Sequence, residues 1–304
     1  MTVPNRCNLA CPMCVRDKAA FVEGDMDFDL FKRLVDDNPG LDAIWPYGLG
    51  EPLMHRRIFD MIRYAKSKGV TVALSTNATL LNERLAQELL DSGLDFLILP
   101  FDGAQPATYE KYRYRARFEQ VRANIEQFLR LKMERRASVH VTVQMILMRE
   151  NLHEARDFVR MWRKPGVDSV RLREDLSKYP EVRLDDAPPR PRKHRPCFFL
   201  WRGPLFVQAG GTILPCPYYH GAEPFGNLSR QSAPEAWNSE RMRQLRAAHK
   251  SGDLSEFPIC ARCPRYQPHP LIAAVSFFFS TAHIRRLLPL AEKVQRRLPW
   301  KFFE

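Results

Sequence analysis

The sequence of 304 residues places three cysteines close together near its start. Cys7, Cys11 and Cys14 follow the spacing C-x3-C-x2-C. Three thiolates on one short loop can bind three irons of a [4Fe–4S] cube and leave the fourth iron open to another ligand. A structural zinc site is disfavoured because it would need a fourth ligand, and the nearest histidine in the sequence is His55.

Four further cysteines follow much later in the chain. Cys197 and Cys216 flank Gly211 in the pattern C-x13-G-x4-C, and Cys260 and Cys263 form a C-x2-C pair. The odd total of seven argues against a simple disulfide framework, whereas clustered cysteines are typical of metal or cluster ligation. Four thiolates would complete a second [4Fe–4S] cluster or a zinc ribbon, and the residues alone leave both interpretations open.

The chain between these two cysteine groups alternates between short apolar runs and helical patterns. The apolar runs predict strands over 2–6, 41–47, 70–75, 96–101, 138–147 and 167–172, and the patterns between them predict helices over 28–37, 58–68, 83–92, 118–135 and 152–163. Strands that alternate with helices indicate an α/β fold with a parallel sheet. Six such units are too few for an eight-fold barrel, so we expect a partial, TIM-like (β/α)6 barrel. Chemistry in such barrels lies in the loops after the strands, and the cysteine triplet follows the first strand.

Composition divides the chain into four segments. Residues 1–177 carry the barrel pattern, and residues 178–196 read as a linker rich in Pro and Arg. Residues 197–270 are predicted to form a second, small domain, with a β-hairpin that turns on Gly210 and Gly211 and a helix over 233–249. Residues 271–304 are predicted to be a basic, amphipathic helical tail. Its apolar spacing favours a helix packed on the barrel over one lying on a membrane surface.

With these motifs in this order, the chain resembles the radical S-adenosylmethionine (SAM) superfamily. The resemblance implies that the open iron of the first cluster binds SAM and that the enzyme generates a 5′-deoxyadenosyl radical. Gly50 and Glu51 resemble the family's motif for the SAM amino group, Ser75 and Asn77 match its ribose position, and Arg113 is a candidate partner for the SAM carboxylate. The complete set of implied cofactor contacts is Met13, Gly50, Glu51, Ser75, Asn77, Asp102 and Arg113.

The later cysteine pattern resembles the SPASM/twitch extension of this superfamily. An extension with four cysteines is similar to the twitch form, which holds one auxiliary [4Fe–4S] cluster, and the spacing resembles that of the 2-deoxy-scyllo-inosamine dehydrogenase type. Four protein thiolates leave no iron open, so the resemblance implies a role in electron transfer. The implied cofactors are therefore two [4Fe–4S] clusters and SAM.

Substrate contacts are predicted on the last two strands of the barrel. Gln144 lies on the fifth predicted strand, and Arg171 and Arg173 lie on the sixth. Alternation places both arginines on one face, where they could bind a phosphate or carboxylate or assist deprotonation. A solvent-exposed edge of the last strand is the alternative.

The charge balance bears on partners and location. The chain has 47 Lys and Arg against 35 Asp and Glu, a net charge of +12. These basic residues are spread over several helices, which favours a solvated surface over a nucleic-acid site. No apolar run reaches the roughly 18 residues that a membrane-spanning helix needs, and the start of the chain lacks the apolar core of a signal peptide. We therefore expect a cytoplasmic protein whose tail supplies any peripheral membrane contact.

Together these features predict an enzyme that oxidises a small molecule, such as a sugar, a cyclitol or a lipid-linked compound. The expected partners are this substrate, for which an anion would suit the charge, and an electron donor such as a flavodoxin or ferredoxin. Peptide maturation is the alternative reaction, but the cysteine loop begins at residue 7 and leaves no room before it for a peptide-recognition domain. RNA modification lacks a recognisable binding motif, and a zinc-binding interaction protein is the non-enzymatic alternative.

Overall fold

The computed structural model describes residues 1–14, 16, 24–174, 196–197, 199–202, 204–217, 219 and 223–263. The predicted linker over 178–196, apart from Pro196, and the predicted tail over 271–304 lie outside the described residues. Within the described part of the chain, every helix is too short or too polar to cross a membrane.

A five-stranded parallel sheet forms the centre of the first domain. Its strands lie side by side in chain order, and each neighbouring pair is parallel. The strands are β1 (Ala43–Ile44), β2 (Thr71–Ser75), β3 (Phe96–Pro100), β4 (His140–Leu147) and β5 (Ser169–Glu174). This sequential parallel order is that of a partial TIM-like barrel, and it confirms the predicted fold class.

Helices precede or connect these strands. They are α1 (Phe28–Asp36), α2 (Ile58–Ser67), α3 (Glu83–Asp91), α4 (Pro106–Tyr112), α5 (Phe118–Glu134) and α6 (Ala155–Trp162). The side chain of Asp27 caps α1 and that of Asn82 caps α3, each by accepting bonds from backbone N–H groups of the first turn. Gly69 and Gly93 turn the chain from α2 and α3 into the next strands, with φ of +75° and +77°.

The N-terminal segment differs from its prediction. The predicted strand over 2–6 makes only an isolated bridge, at Pro4. Proline has no N–H group, so it cannot donate to a continuous ladder. The segment is instead fixed to separate neighbours: the Thr2 N–H donates to the Val207 carbonyl, and the Met26 N–H donates to the Val3 carbonyl. Among the described residues the barrel therefore has five strands and an extended N-terminal segment beside them.

The two faces of β3 are buried to different degrees. Leu97, Leu99, Val141 and Val143 are fully buried and belong to the same apolar cluster as Phe128 of α5. On β3 the alternate residues, including Ile98 and Pro100, are only half-buried. The neighbouring strands β2 and β4 are buried along nearly their whole length, on both faces.

A small antiparallel sheet organises the second domain. Its strands are β6 (Phe206–Val207), β7 (Thr212–Leu214) and β8 (Gly226–Asn227), in that order. The hairpin between β6 and β7 turns at Gly211, which has φ of +81°, as the sequence predicts. The helices are α7 (Phe199–Arg202), α8 (Ala233–Trp237), α9 (Glu240–Ser251) and α10 (Pro258–Arg262).

The single helix predicted over 233–249 is two helices in the structure. Asn238 ends α8, and the Ser239 side chain caps α9 by accepting a bond from the Met242 N–H. Asn and Ser side chains compete for backbone groups, which favours a helix boundary over continuation.

The second domain packs on the N-terminal segment and on α1. The Arg33 guanidinium of α1 donates to the Leu228 carbonyl at 3.0 Å. Val207, Ile213 and Ala236 belong to the main apolar cluster of the barrel. The two domains therefore share part of one core.

Candidate functional site

The cysteine loop lies over the carboxyl ends of the barrel strands. The Glu51 N–H, in the loop after β1, donates to the Arg6 carbonyl, and the Ala10 N–H donates to the Tyr114 carbonyl after α4. Cys11 packs on a small apolar cluster that includes Ile146 of β4. The loop is thus placed where parallel barrels carry their chemistry.

The three thiols of this loop form a compact, half-buried group. None of the seven cysteines is paired in a disulfide. The pKa of Cys11 is raised to about 11, mainly by burial, with the Cys14 and Cys7 thiols adding to the rise and Arg113 opposing it. Burial also raises the pKa of Cys7. Thiols that are close together and costly to ionise without a cation fit an iron–sulfur cluster, which supplies that positive charge.

A site for a single metal ion requires ligands that converge on one point. Among the described residues, no three His, Cys, Asp or Glu side chains are placed to hold a single metal ion. A [4Fe–4S] cube takes one thiolate at each iron, so its ligands need not converge on one point.

Gly50 and Glu51 bring the loop after β1 against the cysteine segment. A Cβ atom at Gly50 would overlap the carbonyl oxygens of Pro4 and Arg6, so only glycine fits there. The Glu51 carboxylate is buried and accepts hydrogen bonds from three donors, which are the Leu53 N–H, the Thr76 hydroxyl and the Asn77 N–H. Burial raises the pKa of Glu51 even though these donors lower it. The carboxylate therefore braces two strand-end loops.

Asp102 and Arg113, two further predicted cofactor contacts, are paired with each other. The Arg113 Nε donates to Asp102 Oδ2 at 2.7 Å, and the Ile146 N–H donates to Oδ1 at 2.7 Å. Burial lowers the pKa of Arg113, but the Asp102 carboxylate, the Cys11 thiol and Tyr109 together raise it, and the net shift is upward. Only two of the five N–H groups of the guanidinium are used on Asp102. The remainder, beside Cys11, could meet a carboxylate ligand.

Met13, Ser75 and Asn77 lie in the same region. Met13 is buried and packs with Ile146 in the small cluster beside Cys11. Ser75 is half-buried at the carboxyl end of β2. The Asn77 amide lies between the Cys7 thiol, at 3.8 Å, and the Asn8 side chain, at 3.0 Å. The structure therefore brings all the sequence-predicted cofactor residues to one end of the barrel.

The predicted substrate residues lie on the face that meets the cysteine loop. Strand register places Gln144 beside Arg171, and Ile146 beside Arg173. Side chains in register on parallel strands share a face, and Ile146 on that face belongs to the apolar cluster on which Cys11 packs. Gln144 is buried, Arg171 is exposed and Arg173 is half-buried. These three residues, defined here as the polar edge of the candidate site, thus run from a buried amide to a solvent-exposed guanidinium.

Two residues that sequence reasoning missed hold the loops after β3 and β4 together. The fully buried Asn151 donates to the Ile146 and Asp102 carbonyls and accepts a bond from the Met148 N–H. Glu154 is buried and accepts the N–H groups that precede α4. In the sequence, these residues stand out only as two polar residues three positions apart, four and seven residues after the end of β4.

The later cysteines come from three elements of the second domain. Cys197 precedes α7, Cys216 follows β7, and Cys260 and Cys263 lie in and after α10. Burial raises the pKa of Tyr219, and the thiols of Cys260 and Cys216 raise it further, so both thiols lie near this ring. Cys197, Cys216 and Cys260, which are far apart in the sequence, all pack on one apolar cluster of the second domain.

Comparison with protein-family models identifies the class. Residues 1–161 match the model of the radical SAM superfamily, and residues 197–264 match SPASM, described as an iron–sulfur cluster-binding domain. The first match covers more than half of the chain, and the chain belongs to the radical SAM superfamily. It carries a SPASM domain after the barrel. The two domains together imply [4Fe–4S] clusters and SAM as cofactors.

Among curated proteins, the chain is similar to a tungsten-containing aldehyde ferredoxin oxidoreductase cofactor-modifying protein of Pyrococcus furiosus. The two are 26% identical over 310 residues, which covers 86% of each chain. This chain is also 28% identical over 170 residues to an AdoMet-dependent heme synthase of Nitratidesulfovibrio vulgaris. The match spans 54% of this chain and 44% of that protein.

Solved structures share the fold. BtrN in complex with AdoMet and 2-DOIA superposes with a TM-score of 0.53 at 17% identity, over 85% of this chain and 89% of that one. The enzyme anSMEcpe with bound AdoMet gives 0.64 at 14% identity, over 98% and 94%. SuiB of Streptococcus suis, bound to the precursor peptide SuiA, gives 0.63 at 10% identity, over 80% and 64%.

Proposed function

We propose that this enzyme oxidises a small molecule. The observation that carries the proposal is the pairing of a three-thiol loop at the mouth of the barrel with a four-thiol second domain packed on the same core. When bound, SAM at the first cluster supplies hydrogen-atom abstraction, and the second cluster supplies an electron acceptor. A flavodoxin or ferredoxin would serve as the external reductant.

The seven cysteines divide into two ligand sets. Cys7, Cys11 and Cys14 would hold the first cluster and leave one iron for SAM. Arg113 has N–H groups beyond the two on Asp102 that would bind the SAM carboxylate, and Ser75, at the carboxyl end of β2, would meet the ribose. The second cluster would be held by Cys197, Cys216, Cys260 and Cys263.

The substrate end is assigned to the polar edge of the site. Arg171 and Arg173 of β5 would bind an anionic group of the substrate. Gln144, beside Arg171 on β4, would orient the rest of the substrate. Small molecules are supported by the names of two relatives, a cofactor-modifying protein and a heme synthase. BtrN, which is matched over 89% of its length, is seen in complex with AdoMet and 2-DOIA.

The first test separates the two ligand sets without knowledge of the substrate. Anaerobically reconstituted protein should contain about eight irons per chain. Replacement of Cys7, Cys11 and Cys14 by Ala should abolish reductive cleavage of SAM to methionine and 5′-deoxyadenosine. Replacement of Cys260 and Cys263 by Ala should leave this cleavage measurable. SAM cleavage that persists after replacement of Cys7, Cys11 and Cys14, or stoichiometric zinc without iron, would refute the proposal.

The second test addresses the substrate class. Alcohols deuterated at the carbinol carbon, with and without a phosphate or carboxylate, are offered to the enzyme, and deuterium is followed into 5′-deoxyadenosine. Transfer from anionic alcohols that is lost in Arg171→Ala supports the proposal. Transfer only from deuterated peptides would instead make the protein a peptide-modifying enzyme.

A further inference from the structure

The Asn77 side chain points at a cluster ligand. Its Nδ2 lies 3.8 Å from Cys7 Sγ, within hydrogen-bond range for sulfur. The same sulfur accepts the Leu9 N–H at 3.4 Å. Cys7 Sγ is thus the target of two N–H donors, one from its own loop and one from the loop after β2.

A closed ring of three side chains fixes the orientation of this amide. Asn77 Nδ2 donates to Asn8 Oδ1 at 3.0 Å, Asn8 Nδ2 donates to Thr79 Oγ1 at 2.7 Å, and Thr79 Oγ1 donates to Asn77 Oδ1 at 2.6 Å. The Thr79 N–H also donates to Asn77 Oδ1, at 3.0 Å, so this oxygen accepts two bonds. The backbone N–H of Thr79 can only donate, so the atom that it meets is the Asn77 oxygen, and the Asn77 nitrogen faces Cys7 and Asn8.

This ring uses the full hydrogen-bonding capacity of Asn77. An amide has two N–H donors and two acceptor positions on its oxygen. The donors go to Cys7 and Asn8, and the acceptor positions go to the N–H and hydroxyl of Thr79. A ribose hydroxyl would have to displace one of these partners, so the geometry disfavours the ribose contact that the family resemblance implies for Asn77.

The loop that carries Asn77 is itself held rigidly. Ala78 has φ of +58°, a left-handed conformation that is rare for a residue with a Cβ. The Thr76 hydroxyl accepts the Ala78 N–H, and Asn124 donates to the Ala78 carbonyl. Glu51 accepts the Asn77 N–H. A strained turn that is tied down on several sides keeps its side chain at one position.

We propose that Asn77 is a positioning residue that donates an N–H···S bond to Cys7 and raises the reduction potential of the first cluster. The inference rests on the proposed assignment of Cys7, Cys11 and Cys14 as ligands. A donor at a ligand sulfur stabilises negative charge there, and reduction adds negative charge to the cluster. The reduced cluster therefore gains more from the bond than the oxidised cluster does.

The test is a redox titration of the holoenzyme followed by EPR. The first cluster is recognised as the one whose signal changes when SAM is added. Asn77→Ala, and Asn77→Leu, which keeps the branched shape of Asn but has no donor, should shift its midpoint potential to lower values. A tenfold fall in the equilibrium constant for reduction corresponds to about 59 mV for this one-electron couple. Asn77→Gln, which restores a donor amide, should recover part of the shift.

A matched variant separates this hydrogen bond from general loosening of the loop. Thr79→Val breaks the ring but keeps the Asn77 donor beside Cys7, so its shift should be smaller than that of Asn77→Leu. Equal shifts in the two variants, or an unchanged potential in Asn77→Leu with full iron content, would overturn the inference and leave the proposed function intact. A SAM-responsive cluster that persists in Cys7→Ala would instead overturn the ligand assignment.

Discussion

The two cysteine groups of this enzyme lie in different surroundings. Around the first, buried polar side chains link the loops after successive strands: Glu51 joins the loops after β1 and β2, and Asp102 joins the loop after β3 to Arg113 and β4. Around the second, the cysteines pack on an apolar cluster that contains Leu245 and Phe257. At the first site, hydrogen bonds between loops add to the packing of Cys11 on a small apolar cluster, and at the second the later cysteines pack on a larger one.

We propose that this difference follows from how many cluster ligands the chain supplies at each site. A site with three ligands must leave room for an exchangeable cofactor, so the surrounding loops have to hold their shape by themselves. A site with four ligands becomes a cross-link once its cluster is bound, and the metal contributes to folding. Polar substitutions should therefore damage the first site, and apolar truncations should damage the second.

The largest effect is expected from Asp102→Ala. The change leaves the buried Arg113 charge and the Ile146 N–H without their acceptor, and removal of one partner of a buried pair costs about 3–5 kcal/mol. Urea unfolding measures the loss. Asp157→Ala, which breaks an exposed pair with Arg160, is the control and should cost at most about 1 kcal/mol. Similar losses in the two variants would contradict polar bracing of the first site.

A truncation in the second domain should be nearly as costly but should act elsewhere. Leu245 is fully buried in the apolar cluster beside the later cysteines. Leu245→Ala should cost about 2–5 kcal/mol and release the iron of the second site while reductive SAM cleavage persists. Hydrogen exchange resolved along the chain would show where protection falls. Loss confined to the barrel would contradict the comparison.

A smaller effect is expected from Glu51→Gln. One carboxylate oxygen becomes an NH2 group, which then faces a donor in the Thr76 and Asn77 loop or at Leu53. An unsatisfied buried group of this kind costs about 1–3 kcal/mol, so the thermal midpoint of the barrel should fall. Glu88→Gln, at an exposed carboxylate near Arg63, provides the control. An unchanged midpoint in Glu51→Gln would remove Glu51 from the braces.

The sequence was sufficient for the parts of this molecule that depend on local pattern. Cysteine spacing predicted the superfamily, and apolar alternation predicted β2 to β5 with nearly their observed bounds. It predicted a full strand over 2–6, where Pro4 permits only a bridge. The partners of Glu51, Asn77 and Asp102 depend on contacts between distant loops and on the left-handed turn at Ala78. No local pattern encodes these contacts. The sequence therefore identified these residues as candidates for the site but did not predict their hydrogen-bond partners.

Gly50 has a consequence for how far this scaffold can be altered. The absence of a side chain there lets the loop after β1 lie directly against the backbone of residues 4–6. Any larger residue at this position would have to push the N-terminal segment outward, and the cysteine loop would move with it. The position of the cysteine loop over the strand ends therefore depends on the absence of a side chain at position 50.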